Sequence, residues 1–539
     1  MVDRGPVHSD VTEPKWRAPV ALSVSAGVFG SFLAYYGLLC FRHEGWGGDF
    51  QMYCAGISRL YQNFWRPMHE AMDAPGTQST VYTAYLVVLA AFGKLFGASE
   101  YRTLEVAGLF NLFVYCAAVA YLFSRHSLHR RWWLAAACFM FASLFIRWLH
   151  FGWSSETSLT NFQYVQPFPS TFGWSLGFFA FGLMEELSRK RRWQEVLGLG
   201  LVLAASLTTH VLTASWVLGI VALHALWVSA ARRDPWLLPR PLAAMGIGIA
   251  LAALWPYAPL FGQRGMSNVK EGAGFGGSPF HDIPNLYALA IPCFAYLIAR
   301  LRRHAFWLLG MLVTLLMLAI WNRIDFYFGY RYAFYAAFFA QFAVAEVLAL
   351  GIFALLGPVT ELSTERRWQR LDRPVVLALS LAALLAWLPS PMFAQARKDT
   401  GFGRLLSPMA LLRLQSPHDA YYRQFSEIRA QLSPSDLVLT PVTRAAFDLA
   451  TITDSRVVSS PNALQVPDRF AKQRDVNRFF DKRASAAERA AVVRRHRPTK
   501  LVLPGNHRQL EGALTQQFGK ATHEAGGFLV WSLPALGQN

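Results

Sequence analysis

Asp49, in Gly47-Gly48-Asp49-Phe50, follows the first long apolar run of the chain, 18–40. A carboxylate at that boundary between lipid and water is placed to act as a base for an enzyme that takes one substrate from the bilayer and the other from the aqueous side. The same residue could equally cap the helical pattern that begins after it, because aspartate accepts backbone N–H bonds at a helix start. A second carboxylate, Glu156 in Trp153-Ser154-Ser155-Glu156, occupies a later polar loop and is either a second acidic group of a site or a solvated loop glutamate. Arg331 stands at the mouth of the apolar run 331–356. An arginine at a span boundary either serves a partner, such as a phosphate held bidentately, or snorkels to the interface. Arg323, Arg264 and Lys270 are further cations on the same side, while His150 and His210 are isolated in sequence and read as satisfied helix histidines.

The elements that must position these groups are membrane spans. A bilayer core takes about 20 residues of helix to cross, and apolar runs of that order cover 18–40, 80–98, 101–123, 132–151, 171–187, 196–209, 211–229, 242–259, 286–299, 306–320, 331–356 and 375–393. The expected fold is therefore an α-helical polytopic membrane protein with about 11–12 hydrophobic segments. Lys and Arg near span ends stay on the cytoplasmic side. Arg125 with Arg130-Arg131, Arg189 to Arg192, Arg232-Arg233, Arg300 with Arg302-Arg303, and Arg366-Arg367 mark that side. The loops 41–79, 152–170, 260–285 and 321–330 then face outward, as does everything after residue 394. With Asp49 outside and 124–131 inside, 80–98 and 101–123 cannot both cross. Lys94 singles out the first as a partial or interfacial helix.

The net charge is +18, yet much of it is the loop charge that topology requires. Attraction to anionic membrane lipids is the nearer consequence, and nucleic acid is not expected as a partner. The five cysteines have no metal-like spacing, and none lies in the polar C-terminal part, so neither a disulfide framework nor a cysteine metal site is expected. The run 18–40 is too long for a signal-peptide core and is expected to remain as an anchor.

From about residue 416 the composition becomes that of a small α/β domain. Strands are expected at 436–440, 456–459, 500–503 and 527–533, with helices at 444–452, 469–482, 485–496 and 508–518 between them. The domain scheme is thus 1–393 for the membrane part with its first outer loop 41–79, 394–415 as linker, and 416–539 as an extracytoplasmic α/β domain. That domain shows no Gly-rich phosphate loop, no nucleophile elbow and no paired metal ligands. The stretch 51–70 interleaves Met52, Ile57, Leu60, Phe64 and Trp65 with Arg59, Arg66 and His69, and is expected to lie in the interface plane.

An Asp in Gly-Asp-Phe after the first span, a helical outer loop, about a dozen spans, a late Arg331-Tyr332 and an outer α/β tail together resemble the bacterial GT-C glycosyltransferases. The resemblance covers nearly the whole chain, through pattern more than invariant motifs. Asp436-Leu-Val-Leu, Arg456-Val-Val and Lys500-Leu-Val-Leu look like the tail of such proteins, but Asp49 lacks the adjacent second acid of the protein O-mannosyltransferases. The resemblance implies an inverting transfer of a sugar from a polyprenyl-phosphate donor to a glycan or lipid acceptor of the cell envelope, at the outer face of a bacterial inner membrane. Such transfer needs a base for the acceptor proton and a cation for the departing phosphate. Asp49 fits the first role and Arg331 the second, with Arg323, Arg264 and Lys270 as further phosphate contacts. Glu156 would stand near acceptor or metal. The resemblance fixes no cofactor and leaves room for a divalent cation. The reading from another class is a lipid-linked-saccharide transporter, which would more naturally carry broken or charged spans at mid-depth.

Overall fold

The structure is a computed structural model that describes residues 17–40, 49–67, 69, 72–74, 79, 81–127, 132–143, 166–190, 192–257, 284–300, 304–324, 326–356, 366–387, 424–425, 427–460, 466 and 468–533. Its first part is helical: α1 (Arg17–Cys40), α2 (Asp49–Gln62), α3 (Ala84–Leu95), α4 (Glu100–His126), α5 (Trp132–Ser143), α6 (Pro169–Lys190), α7 (Trp193–Thr209), α8 (Val211–Arg232), α9 (Pro239–Ala253), α10 (Pro284–Arg300), α11 (Ala305–Ile324), α12 (Phe326–Leu356) and α13 (Arg366–Trp387). Among the described residues four helical stretches are long and apolar enough to cross a membrane, Glu100–His126, Val211–Arg232, Pro235–Ala253 and Arg331–Leu355. Several shorter apolar helices pack with them, and the chain is a multi-pass membrane protein.

The described spans sit where the apolar runs lie, with one correction, and the run 80–98 is the partial helix that Lys94 singled out. The run 80–98 yields only the 12-residue α3, about 18 Å long at 1.5 Å per residue, against a hydrocarbon core of about 30 Å. It cannot cross by itself, whereas α4 has 27 residues and a serine cap, the Ser99 hydroxyl accepting from the Arg102 N–H at 3.2 Å. Lys94 of α3 reaches back to donate to the Tyr61 carbonyl oxygen at 2.7 Å. The correction concerns 321–330, expected as an outer loop. Here α11 runs to Ile324 and α12 starts at Phe326, so Arg331 lies inside a helix rather than at its mouth. Gly329 is the weak helix former in that stretch, and its penalty of about 1 kcal/mol does not stop a helix.

The helix α12 is central: Ala333 to Ala340 and Phe342 to Ala345 are buried on every face, as expected of a helix that is apolar all round. The helix α2 places Phe50, Cys54, Ile57 and Leu60 against Val81 and Tyr82 just before α3, against Leu86 of α3 and against Leu104 of α4. The helical spacing of that stripe explains the fit. It rests on protein, where an interface-plane helix would have rested on lipid.

The C-terminal part contains β1 (Leu437–Leu439), α14 (Arg444–Thr453), β2 (Arg456–Val457), α15 (Arg469–Phe479), α16 (Ala486–His496), β3 (Lys500–Pro504), α17 (Glu511–Phe518), β4 (His523–Ala525) and β5 (Phe528–Ser532). The sheet order is β2-β1-β3-β5-β4, with β2, β1 and β3 parallel and β5 and β4 antiparallel to their neighbours. Alternation along the strands makes two apolar faces. Val438, Val457, Val502 and Val530 line one, and Leu437, Leu439, Leu501, Leu503 and Trp531 the other. The unexpected strand β4 is a polar edge, His523-Glu524-Ala525, whose sequence has no apolar alternation to betray it. The expected helix 508–518 begins as a 3-10 turn, Gly505–Leu510.

The sheet domain and α2 sit on the same side of the bundle. Met72, from the first loop, pairs in parallel with Val457 at the β2 edge, and the Asp73 N–H donates to the Val457 carbonyl oxygen at 3.0 Å. The close packing of α2 on its other side depends on Gly56, where a Cβ would come within 2.7 Å of Val81 Cγ1 and 2.8 Å of Leu86 Cδ2. Gly56→Val is expected to destabilise by about 1–3 kcal/mol through overpacking and to lower the melting temperature of the purified protein. Gly219→Ala in α8, with open space around it, is expected to melt no lower than wild type. Equal melting of Gly56→Val and wild type would show that α2 is not packed this closely.

Candidate active site

Asp49 is the first residue of α2; its side chain lies outside the described residues. One turn further, Tyr53 meets Phe168 with ring centroids 5.0 Å apart, and Phe50 meets Tyr101 of α4 at 5.8 Å. The 166–168 segment is held in turn by buried amide and hydroxyl groups. Asn111 Nδ2 donates to the carbonyl oxygens of Gln166 at 2.9 Å and Phe168 at 3.3 Å, and Tyr85 Oη donates to that of Pro167 at 3.0 Å. Pro169 then opens α6, where a missing N–H and a preset φ are well tolerated.

On α6, Gly173 allows close approach of the break between α7 and α8, for a Cβ there would sit 3.0 Å from His210 Cβ. His210 leaves helical geometry, with φ −149° and ψ 90°, and caps α8: its Nδ1 accepts from the Thr213 N–H at 3.4 Å and is hydrogen-bonded to Thr213 Oγ1 at 2.8 Å. Thr213 Oγ1 lies 3.3 Å from Tyr335 Oη on α12. Arg331 precedes Tyr335 by four residues and therefore shares its face of the helix. Beneath them is an aromatic floor, with Trp216 stacked on Tyr335 at 4.6 Å and 11° and Trp174 5.4 Å from the same ring. A continuous series of contacts thus runs from the start of α2 through α6 and the α7–α8 break to the Arg331 end of α12.

His210 lies outside both helices it joins. Burial, followed by the nearby Arg331 charge, pulls its imidazole down to about 3. The ring is neutral at physiological pH, and it adds no second positive charge beside Arg331.

Of the residues expected to form the site, the start of α2 and half-buried Arg331 stand at the two ends of this contact series. Arg323 is in the last turn of α11, and its side chain lies outside the described residues, as do Glu156, Arg264, Lys270 and His150 altogether. Phe168, Thr213 and Tyr335 were not anticipated. Tyr332 and Tyr335 interrupting the alanine and phenylalanine of a central span were the one available signal. Among the described residues no group of three or more His, Cys, Asp or Glu could hold a metal ion; the Asp49 side chain and Glu156 lie outside them, and no step is derived through a metal.

No protein-family model matches the chain, and no curated protein matches it in sequence. Solved structures do match. The Archaeoglobus fulgidus oligosaccharyltransferase in the apo form superposes with a TM-score of 0.57 at 13% identity, over 94% of this chain and 71% of that one. ArnT from Cupriavidus metallidurans, bound to undecaprenyl phosphate, gives 0.52 at 12% identity over 97% and 99%. The chain has the GT-C glycosyltransferase fold. A further Archaeoglobus structure, AglB with an inhibitory peptide and a dolichol-phosphate, superposes at 0.54 with 12% identity over 91% and 70%.

A testable consequence concerns pH. Because the His210 imidazole has its pKa lowered to about 3, the unfolded chain, with an ordinary value of about 6.5, binds more protons between those limits and stability falls as pH drops through that window. Asparagine caps a helix as well as most residues do and does not titrate. The melting temperature of His210→Asn is therefore expected to fall less steeply than that of wild type as the pH is lowered from 7 to 4 (about 6.5 marks the onset). Parallel curves would place the His210 ring in solvent.

Proposed function

We propose that this GT-C-fold protein transfers a sugar from a polyprenyl-phosphate donor to a hydroxyl of a cell-envelope acceptor, at the outer face of a bacterial inner membrane. The observation that carries the reading is the contact series joining the start of α2 to the Arg331 end of α12, on the side where the sheet domain sits. In ArnT and AglB of the same fold the bound lipid phosphates are undecaprenyl phosphate and dolichol-phosphate, which supports a lipid-phosphate donor here. An Archaeoglobus relative holds Zn and sulfate; a divalent cation remains a proposal for this chain, with Glu156 and Asp49 the carboxylates to examine.

In this reading Asp49 takes the proton of the acceptor hydroxyl. The hydroxyl oxygen forms the new bond to the anomeric carbon while the bond from that carbon to the phosphate oxygen breaks. The electron pair leaves with the polyprenyl phosphate, and the guanidinium of Arg331 meets the growing negative charge with two parallel donors. A single displacement of this kind inverts the anomeric centre. Neutral His210 and Tyr335 would hold the wall beside Arg331 without competing for the anion. The unbroken course of α12 over 31 residues supports this reading over transport, for which discontinuous helices at mid-depth are characteristic.

Two substitutions separate the roles. Asp49→Asn preserves helix capping but cannot accept a proton, and turnover of polyprenyl-phosphate monosaccharides, followed by release of polyprenyl phosphate, is expected to fall about 100- to 10,000-fold with melting unchanged. Near-normal turnover would remove Asp49 from the chemistry. Arg331→Lys keeps the charge but loses the two-point fork, so weaker donor binding with the fold intact is expected. Unchanged donor affinity and turnover in Arg331→Ala would assign the phosphate to another cation.

A further inference from the structure

Of the charged side chains in the first loop, Arg59 is only 2% exposed. In sequence it is one of the polar residues, with Arg66 and His69, that interleave the apolar ones of 51–70. In the structure its Nη1 donates to the Asp454 carbonyl oxygen at 2.7 Å and to Gln62 Oε1 at 3.2 Å, and its Nη2 donates to the Ser455 carbonyl oxygen at 2.8 Å. These carbonyls lie just past the C-terminal end of α14, the negative end of its dipole, where a buried cation is stabilised. The chain turns sharply there, Asp454 having φ +60°. Ser58 Oγ donates to Asp454 Oδ1, and Arg429 Nη2 pairs with Oδ2 of the same carboxylate at 3.1 Å. Asp454 is thereby fixed from both sides.

A second tie follows at the end of the loop. Asp73 accepts from Arg456 Nη1 at 2.8 Å, its carbonyl oxygen accepts from Lys472 Nζ at 2.7 Å, and Met72 and Ala74 enter the core of the sheet domain. The N-terminal turn of α2 is held by different partners, Tyr101 and Phe168, which belong to the bundle. The helix is thus seated on the bundle along its apolar stripe, and its far end, through Ser58 and Arg59, is locked to the sheet domain as well.

We propose that Arg59 and Asp454 are positioning residues: by locking the far end of α2 to the sheet domain they set where Asp49 stands over the membrane end of the bundle. This rests on the proposed role of Asp49 as base. Misplacement of a reacting group by about 1 Å costs on the order of 100-fold in rate. Arg331 and the aromatic floor lie on other helices, so loss of the clamp should spare donor binding. A residue with only a structural role would instead lower stability without dividing kcat from KM.

The test uses full-length protein in lipid nanodiscs, comparing wild type, Arg59→Gln, Arg59→Lys and Asp49→Asn. Hydrogen exchange of 49–62 and steady-state release of polyprenyl phosphate are measured on each. For Arg59→Gln we expect faster exchange in 49–62, a kcat lower by about 10- to 100-fold and an unchanged KM for the lipid donor. Arg59→Lys, which retains one donor direction, should recover part of both effects. If Arg59→Gln melts below wild type, Ser58→Ala, which removes only the hydroxyl bond to Asp454, should shift both readouts in the same direction by less. Unchanged exchange in 49–62 would overturn the clamp whatever the activity. Faster exchange with wild-type kcat, beside an inactive Asp49→Asn, would overturn the positioning role and leave the base assignment standing. An active Asp49→Asn would overturn the base assignment and the positioning role with it, while the exchange data would still decide the clamp.

Discussion

A guanidinium almost sealed from water is stable only where its donors find acceptors, and Arg59 finds them on the backbone of another part of the chain. The carbonyls of Asp454 and Ser455 are 395 and 396 residues away in sequence. Removing one partner of such a contact would leave an unmatched buried charge, which is far more costly than the contact is stabilising. The arrangement of α2 follows from this constraint. Its apolar stripe is committed to α3 and α4, its polar side to α14, and no face is left for lipid.

The opposite end of the bundle is organised by charge of a more ordinary kind. Glu185 pairs with Arg189 at 2.8 Å and with His224 at 3.4 Å, while Lys190 reaches Glu186 at 3.5 Å and Glu195 at 4.0 Å. The cations Arg189 and Lys190 are half exposed, while Glu186, Glu195 and His224 are buried, so the pairs satisfy carboxylates that would otherwise be costly to bury. Their effect is to hold the ends of α4, α6, α7 and α8 at one level, with Arg125 beside Glu186 closing the set. Between the two ends lies α12 with its surrounding rings. Phe338 alone contacts Phe178 at 5.2 Å, Phe181 at 5.8 Å and Phe339 at 5.2 Å. Such packing suits a membrane interior, where lipid is as apolar as the core and close contact supplies what hydrophobic burial does not.

This explains how a fold can be shared at 12–13% identity. A span needs apolar side chains and a few close approaches; it does not need particular residues. The constrained positions are the ends, where helix breaks, caps and buried polar groups must be satisfied individually. His210 and Arg59 are positions of that kind.

The sequence by itself determined the spans, because crossing about 30 Å of hydrocarbon with every backbone group bonded requires long apolar helices. It determined the alternating strands of the sheet domain for the same local reason, a period of two that separates Val438 from Leu437 and Leu439. It also singled out Lys94 as a misfit in a span, and α3 is too short to be one. Only the tertiary structure decided that Arg59 faces α14 rather than water, that Met72 extends the β2 edge, and that Thr213 brings His210 to Tyr335. Those contacts join residues separated by 122 to 396 positions, and no periodicity in a sequence encodes a pairing between two surfaces that acquire their polarity only when they meet.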